Sequence, residues 1–115
     1  MSSQQPSRGE VWFLNLDPIQ GHEQAGSRPA LIISVDQFNH GPAALAVVLP
    51  ITSKAKGIPF HVPLHPPEGG LKQLSFIKCE DVRSVSTMRL MQRWGRISLQ
   101  TMLAVEDRLR ILLGL

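Results

Sequence analysis

The longest uninterrupted apolar run in this chain is seven residues, AALAVVL at 43–49. A membrane-spanning helix needs about 20. Up to residue 97, short apolar runs alternate with clusters of proline, glycine and charge. From residue 99 the apolar positions fall three and four apart instead. Short runs bounded by turn residues read as strands, and the three-and-four spacing reads as one stripe of a helix. The pattern therefore predicts many short strands followed by a single terminal helix. At 115 residues the expectation is one domain. That length buries roughly two-thirds of its surface without help from metals or disulfides.

Residues 10–16 (EVWFLNL) are dense in β-forming types and predict a first strand. Residues 17–29 (DPIQGHEQAGSRP) hold two prolines and two glycines, and predict a long loop. Residues 30–35 (ALIISV) and 44–51 (ALAVVLPI) predict buried strands, separated by a turn at 36–42. After a Lys- and Gly-containing loop at 52–59, Phe60, Val62 and Leu64 alternate with His61 and Pro63. That is period two, and Pro63 marks an edge strand. HPPEGG at 65–70 predicts a turn, and LSFIKC at 74–79 a strand that 82–85 can extend. One helical turn at 86–90 and a strand at 91–97 complete the β region.

In the last segment Met102, Val105, Leu109 and Leu112 form the apolar stripe, with Leu103 and Leu113 beside it. Ser98 is placed as an N-cap and Gly114 as a left-handed stop, so the helix is predicted over 99–113. Glu106 and Arg110 stand in the favourable i,i+4 order for an ion pair. The domain reading is a flexible leader at 1–8 and a single domain at 9–115. Its fold class is mainly β with a C-terminal helix: a small, bent antiparallel sheet or partly open barrel.

Composition narrows the function classes. Hydrophobic residues make up 43% and charged residues 18%, a globular balance. Lysine and arginine number 12 against 9 acidic residues, giving +3. Residues 1–57 are balanced, so the excess lies in 58–115, where Lys78, Arg83, Arg89, Arg93 and Arg96 form a spaced series. A mild excess of this kind suits a phosphate-binding surface, and equally an ordinary solvated one. The polar N-terminus has no apolar signal-peptide core, and the single Cys79 cannot form an internal disulfide. The expectation is a cytoplasmic protein with no membrane contact and no thiolate zinc site.

No Walker loop, GxGxxG, HExxH or GxSxG motif is present. The histidines at 22, 40, 61 and 65 lack metal-ligand spacing, so no metal and no cofactor is expected. The 17–29 loop concentrates His22, Glu23, Gln24 and Arg28 just before a buried strand. Such a loop can present polar groups on a rigid base, or simply solubilise the surface. Thr52, Ser53 and Lys54 end a strand with hydroxyls and a cation that can meet phosphate oxygens, though the sequence is also that of a common turn. Glu80 and Asp81, followed by Arg83, are adjacent carboxylates that a strand would send to opposite faces. Among the aromatics, Trp12 reads as core, while Trp94, between Arg93 and Arg96, is the better surface candidate for stacking a base.

Taken in order, several blocks resemble the MazF/PemK family of toxin–antitoxin endoribonucleases. They are Arg8-Gly9-Glu10-Val11-Trp12, Asp17-Pro18, Gly21-His22-Glu23-Gln24 and Gly26-Ser27-Arg28-Pro29. Asn39, Pro50-Ile51-Thr52-Ser53, His61-Val62, Val82-Arg83 and Arg89-Leu90 follow, so the resemblance spans about residues 8–113. It implies an SH3-like, bent β-barrel of the CcdB/PemK toxin type, usually a homodimer. It implies sequence-specific, metal-independent cleavage of single-stranded RNA, with DNA not a substrate. The ribose 2′-hydroxyl attacks the adjacent phosphorus, leaving a 2′,3′-cyclic phosphate and a 5′-hydroxyl. It further implies an acidic, MazE-like antitoxin as partner.

On that resemblance Arg28 and Thr52 take the catalytic positions, and Glu23, Gln24, Glu80 and Asp81 line the RNA groove. His22, Ser53 and Arg83 join them as candidate RNA contacts. Arg28 suits electrostatic stabilisation better than proton transfer, because its guanidinium stays charged. His22 stands where a serine is common in the family and Asp81 where a glutamine is common, which makes His22 a candidate for proton transfer near neutral pH. Two alternatives compete. A CcdB-like gyrase poison would carry a C-terminal Trp-Gly-Ile, whereas this chain ends Leu113-Gly114-Leu115. A non-catalytic SH3-like binding module would not need both Arg28 and Thr52.

Overall fold

The computed structural model describes residues 5–16 and 26–115. Within these residues, seven strands and two helices run in the order β1 (Glu10–Asn15), β2 (Ser27–Ile32), α1 (Asp36–Asn39), β3 (Leu45–Thr52), β4 (His61–Leu64), β5 (Ser75–Lys78), β6 (Arg83–Ser86), β7 (Leu90–Arg96) and α2 (Leu99–Leu113). Short 3-10 turns lie at Glu68–Gly70 and Thr87–Arg89. The strands pair antiparallel in the order β4-β5-β3-β2-β1-β7, with β6 also on β3. Val48 of β3 pairs Ile32 and Arg83 at once, so β2 holds one edge of β3 and β6 the other. Among the described residues β4 and β7 do not pair, and the sheet stays open. β4 is an outer strand, and Pro63 falls within it opposite Phe76 of β5.

The unbroken apolar runs of β2 and β3 have a physical reason. Both faces of the sheet are buried, so alternate residues feed two cores. One contains Val11, Leu31, Leu49, Ile51 and Ile77, and is covered by Met102 and Val105 of α2. The other contains Trp12, Leu14, Ala30, Ile32, Val48 and Val85. Cys79 is fully buried in the first core, and burial pushes its thiol up to about 12, with the Glu80 charge adding to the effect. It stays a thiol at neutral pH and serves as packing.

α2 matches its predicted span, with the Ser98 hydroxyl accepting from the Thr101 N–H and Gly114 in the left-handed region. Leu103, Leu112 and Leu113 of its predicted apolar face are exposed, so its seam is narrower than the spacing implied. Glu106 does not pair with Arg110; it turns inward to Arg8. That contact is one of several holding residues 5–8, which were expected to form part of a loose leader. Pro6 is fully buried, its carbonyl meets His40 Nε2 at 2.7 Å, and the Arg8 N–H donates to Asp36 Oδ1 at 2.8 Å. The predicted loop at 17–29 also ends early, because Ser27, Arg28 and Pro29 already pair with Asn15, Leu14 and Phe13.

Candidate active site

The β2–β3 ladder sets which face of the sheet the two strand-end candidates share. Ala30 pairs Pro50, Leu31 pairs Leu49 and Ile32 pairs Val48. The ladder ends at Ala30 and Pro50; Arg28 and Thr52 each lie two residues beyond it, and Thr52 pairs Phe76 on the other edge of β3. Residues two apart share a face, so both fall on the side of Ala30 and Ile32. Thr52 is buried, and its Oγ1 accepts from the Lys54 N–H at 3.2 Å. The hydroxyl proton is therefore left to donate. Arg28 is half-buried, with its backbone fixed by the β1 pair and by Pro29.

A groove of about 720 Å³ opens beside this strand end. Arg28, Ser53, Ser75, Gln92 and Trp94 are among the residues along it. Its far wall is residues 70–73, just after the Glu68–Gly70 turn, where Lys72 and Gln73 bring a cation and an amide. Lys72, Gln73, Ser75 and Gln92 were not read as site residues from the sequence. Each is a commonplace polar residue, and only the folding of the 65–74 connection toward β7 brings them to Arg28. Among the described residues no group of His, Cys, Asp and Glu is clustered to hold a metal ion.

The other predicted residues are placed differently. His22, Glu23 and Gln24 lie outside the described residues. Glu80, Asp81 and Arg83 sit where β5 hands over to β6 along β3, and none of them lines this groove. Glu80 Oε2 lies 2.9 Å from Nε2 of His61, whose side chain is 4% exposed. Asp81 takes Arg83 Nη2 at 2.7 Å and Lys78 Nζ at 3.6 Å. These carboxylates thus have cationic or imidazole neighbours, which answers why two adjacent acids are tolerated on a mildly basic surface.

A buried carboxylate supports the groove from behind. Burial pushes Glu10 up, but bonds from Trp12 Nε1, the Ser7 N–H and Arg93 outweigh it, and its carboxyl ends below the ordinary glutamate range. Trp12 Nε1 donates at 3.0 Å, Ser7 at 2.8 Å and Arg93 Nε at 2.7 Å. A depressed folded-state pKa stabilises the fold above the unfolded value of about 4.3, and that stability is lost as pH falls through the folded value. Melting temperatures should therefore hold from pH 7 to 5 and drop below about pH 4.5. Glu10→Gln, which mimics the protonated acid, should melt lower than the native chain at pH 7, with the gap closing as pH falls below the ordinary glutamate range. Parallel melting curves at every pH would remove Glu10 from the acid response.

A family model described as PemK-like, MazF-like toxin of type II toxin-antitoxin system matches residues 7–113. Endoribonuclease MazF9 of Mycobacterium tuberculosis is 35% identical over 113 residues, covering 94% of this chain and 96% of that protein. The crystal structure of MazF (Form-I) from Deinococcus radiodurans superposes with a TM-score of 0.86 at 33% identity, covering 97% of this chain and 99% of that one. The MazE-MazF (Form-II) structure from the same organism matches at a TM-score of 0.80 and 32% identity, covering 97% of this chain and 98% of that one.

Proposed function

This chain belongs to the PemK-like, MazF-like toxin family of type II toxin–antitoxin systems, and we propose that its groove cleaves single-stranded RNA by attack of the ribose 2′-hydroxyl on the adjacent phosphorus. It is an endoribonuclease toxin with an antitoxin of the MazE type as its partner. The CcdB-like and non-catalytic alternatives give way to that membership. The observation that supports the chemistry is Arg28 on the wall of a polar groove that Ser53 also lines, with Thr52, the buried neighbour of Ser53, just outside that lining.

In this reading the 2′-oxygen bonds to phosphorus and the bond to the 5′-oxygen breaks. The products are a 2′,3′-cyclic phosphate and a 5′-hydroxyl. Charge builds on the non-bridging oxygens, and the Arg28 fork stabilises it. The Thr52 hydroxyl donates to a phosphate oxygen or to the 2′-oxygen and fixes the line of attack. One proton leaves the 2′-hydroxyl and one reaches the 5′-oxygen. His22, by its place in the β1–β2 connection, is the candidate to carry them. Ser53 offers a further hydroxyl in the groove. Glu23, Gln24, Glu80, Asp81 and Arg83 are assigned to base and backbone recognition, with Glu80 and Asp81 first released from their present partners. DNA lacks the nucleophile and is not cut.

No described helix is long and apolar enough to cross a membrane. The toxin is assigned to the cytoplasm, where its RNA is found, and to a homodimer. The exposed Leu99, Leu103 and Ile111 of α2 supply apolar surface for such pairing. The test is purified protein with a long RNA in excess EDTA. Cleavage should persist, and every new end should carry a 5′-hydroxyl opposite a cyclic phosphate. Ends bearing 5′-phosphate would overturn the 2′-hydroxyl mechanism, and intact RNA would overturn the activity.

A further inference from the structure

β7 is not a regular strand. Trp12 pairs Arg93 and Val11 pairs Gly95, so Trp94 is an extra residue bulged out of the ladder. Bulges re-aim side chains, and they are common beside binding sites. Here the bulge sends Trp94 to the face of Phe13, where the two rings stack with centroids 5.0 Å apart and planes 8° from parallel. Trp94 is half-buried, packs against the first core, and lines the groove that also holds Arg28.

The bulge is clamped from outside. Gly70 lies so close to Trp94 that a Cβ there would meet the Trp94 carbonyl oxygen at 2.3 Å. A Cβ on Gly95 would meet Gly69 and Gly70 backbone atoms at 2.8 Å. Three glycines thus let two backbones touch, and together with Phe13 they fix the indole in one place. A preorganised indole loses little entropy when a flat partner lies on it. Across the groove, Lys72, Gln73 and Ser75 offer polar groups.

We propose that Trp94 is a base-stacking platform, on which a nucleobase flanking the cleaved phosphate rests while Arg28 holds that phosphate. The inference rests on the endoribonuclease reading and adds a binding residue to it. Stacking is tolerant of base identity, because every base has a π-face. Trp94 therefore raises affinity for the strand and positions it, while sequence choice lies with the residues assigned to base recognition.

The probe is a short RNA with a single 2′-O-methyl nucleotide at its cleavage site, which binds but cannot react. Emission of the native protein should be quenched on binding, because Trp94 faces the groove while Trp12 is buried. Abasic substitution at one probe position, and not at the others, should remove the quenching. Trp94→Ala should weaken binding about 10- to 100-fold. KM for cleavable RNA should rise by a similar factor with kcat little changed. Trp94→Phe, which keeps a ring on Phe13, should retain most of the affinity and covers the case in which the alanine variant fails to fold. Native protein that cuts RNA but shows no quenching on the probe overturns the platform alone, as does unchanged binding by folded Trp94→Ala. Native protein that neither cuts RNA nor binds the probe overturns the parent reading and this one with it.

Discussion

Arg28→Ala is expected to lower the rate of RNA cleavage by about 10²–10³-fold, the usual cost of removing one donor aimed at developing charge. The cause is geometric. Arg28 sits in β2, flanked by the β1 pair to Leu14 and by Pro29, so its backbone is fixed before substrate arrives. It lines a polar groove that Ser53, the neighbour of Thr52, also lines. Its contribution grows as negative charge accumulates on the phosphate, so the loss should fall mainly on kcat. Arg28→Lys should recover only part of the rate, because an ammonium keeps the charge but not the planar fork. Single-turnover cleavage by the three proteins, with melting curves beside them, checks both expectations. Full activity in a folded alanine variant would move the stabilising cation elsewhere in the groove.

Some of this was legible in the sequence because it is local. The α2 boundaries follow from Ser98, Gly114 and a three-and-four spacing within a single segment. Period two with Pro63 marked the outer strand. Arg28 and Thr52 stand at the ends of apolar runs, but their catalytic assignment comes from the family resemblance and not from those runs. What was not legible depends on pairing across distance. The start of β2 at Ser27 is set by its partner Asn15, since Ser-Arg-Pro has little strand propensity of its own. The i,i+4 partner of Glu106 was displaced by Arg8, a residue 98 positions away. The resemblance assigns Glu80 and Asp81 to the RNA groove, and only the fold reveals that His61 and Arg83 are their partners here. The bulge at Trp94 has no signature beyond the glycine after it.

Gly70→Ala should be the most destabilising substitution around the groove, and it tests whether the two-backbone contact shapes that groove. Two penalties add at this position. Gly70 has φ 77°, in the left-handed region that costs an L-residue about 1 kcal/mol or more. Its new Cβ would also press on the Trp94 carbonyl, a backbone atom held in a sheet, and overpacking of that kind costs about 1–3 kcal/mol. The sum, about 2–4 kcal/mol, corresponds to roughly 10–20 °C in melting temperature for a domain of this size. Gly57→Ala supplies the control. Gly57 has a similar φ of 63°, but nothing lies within 4 Å of the place its new methyl would take, so only the backbone penalty applies. The difference between the two melting shifts isolates the contact with Trp94. Equal shifts would mean that the 68–70 turn yields without cost. A larger shift for Gly70→Ala, with weaker probe binding in the fraction that remains folded, would tie the glycine turn to the position of the indole and hence to the floor on which the RNA lies.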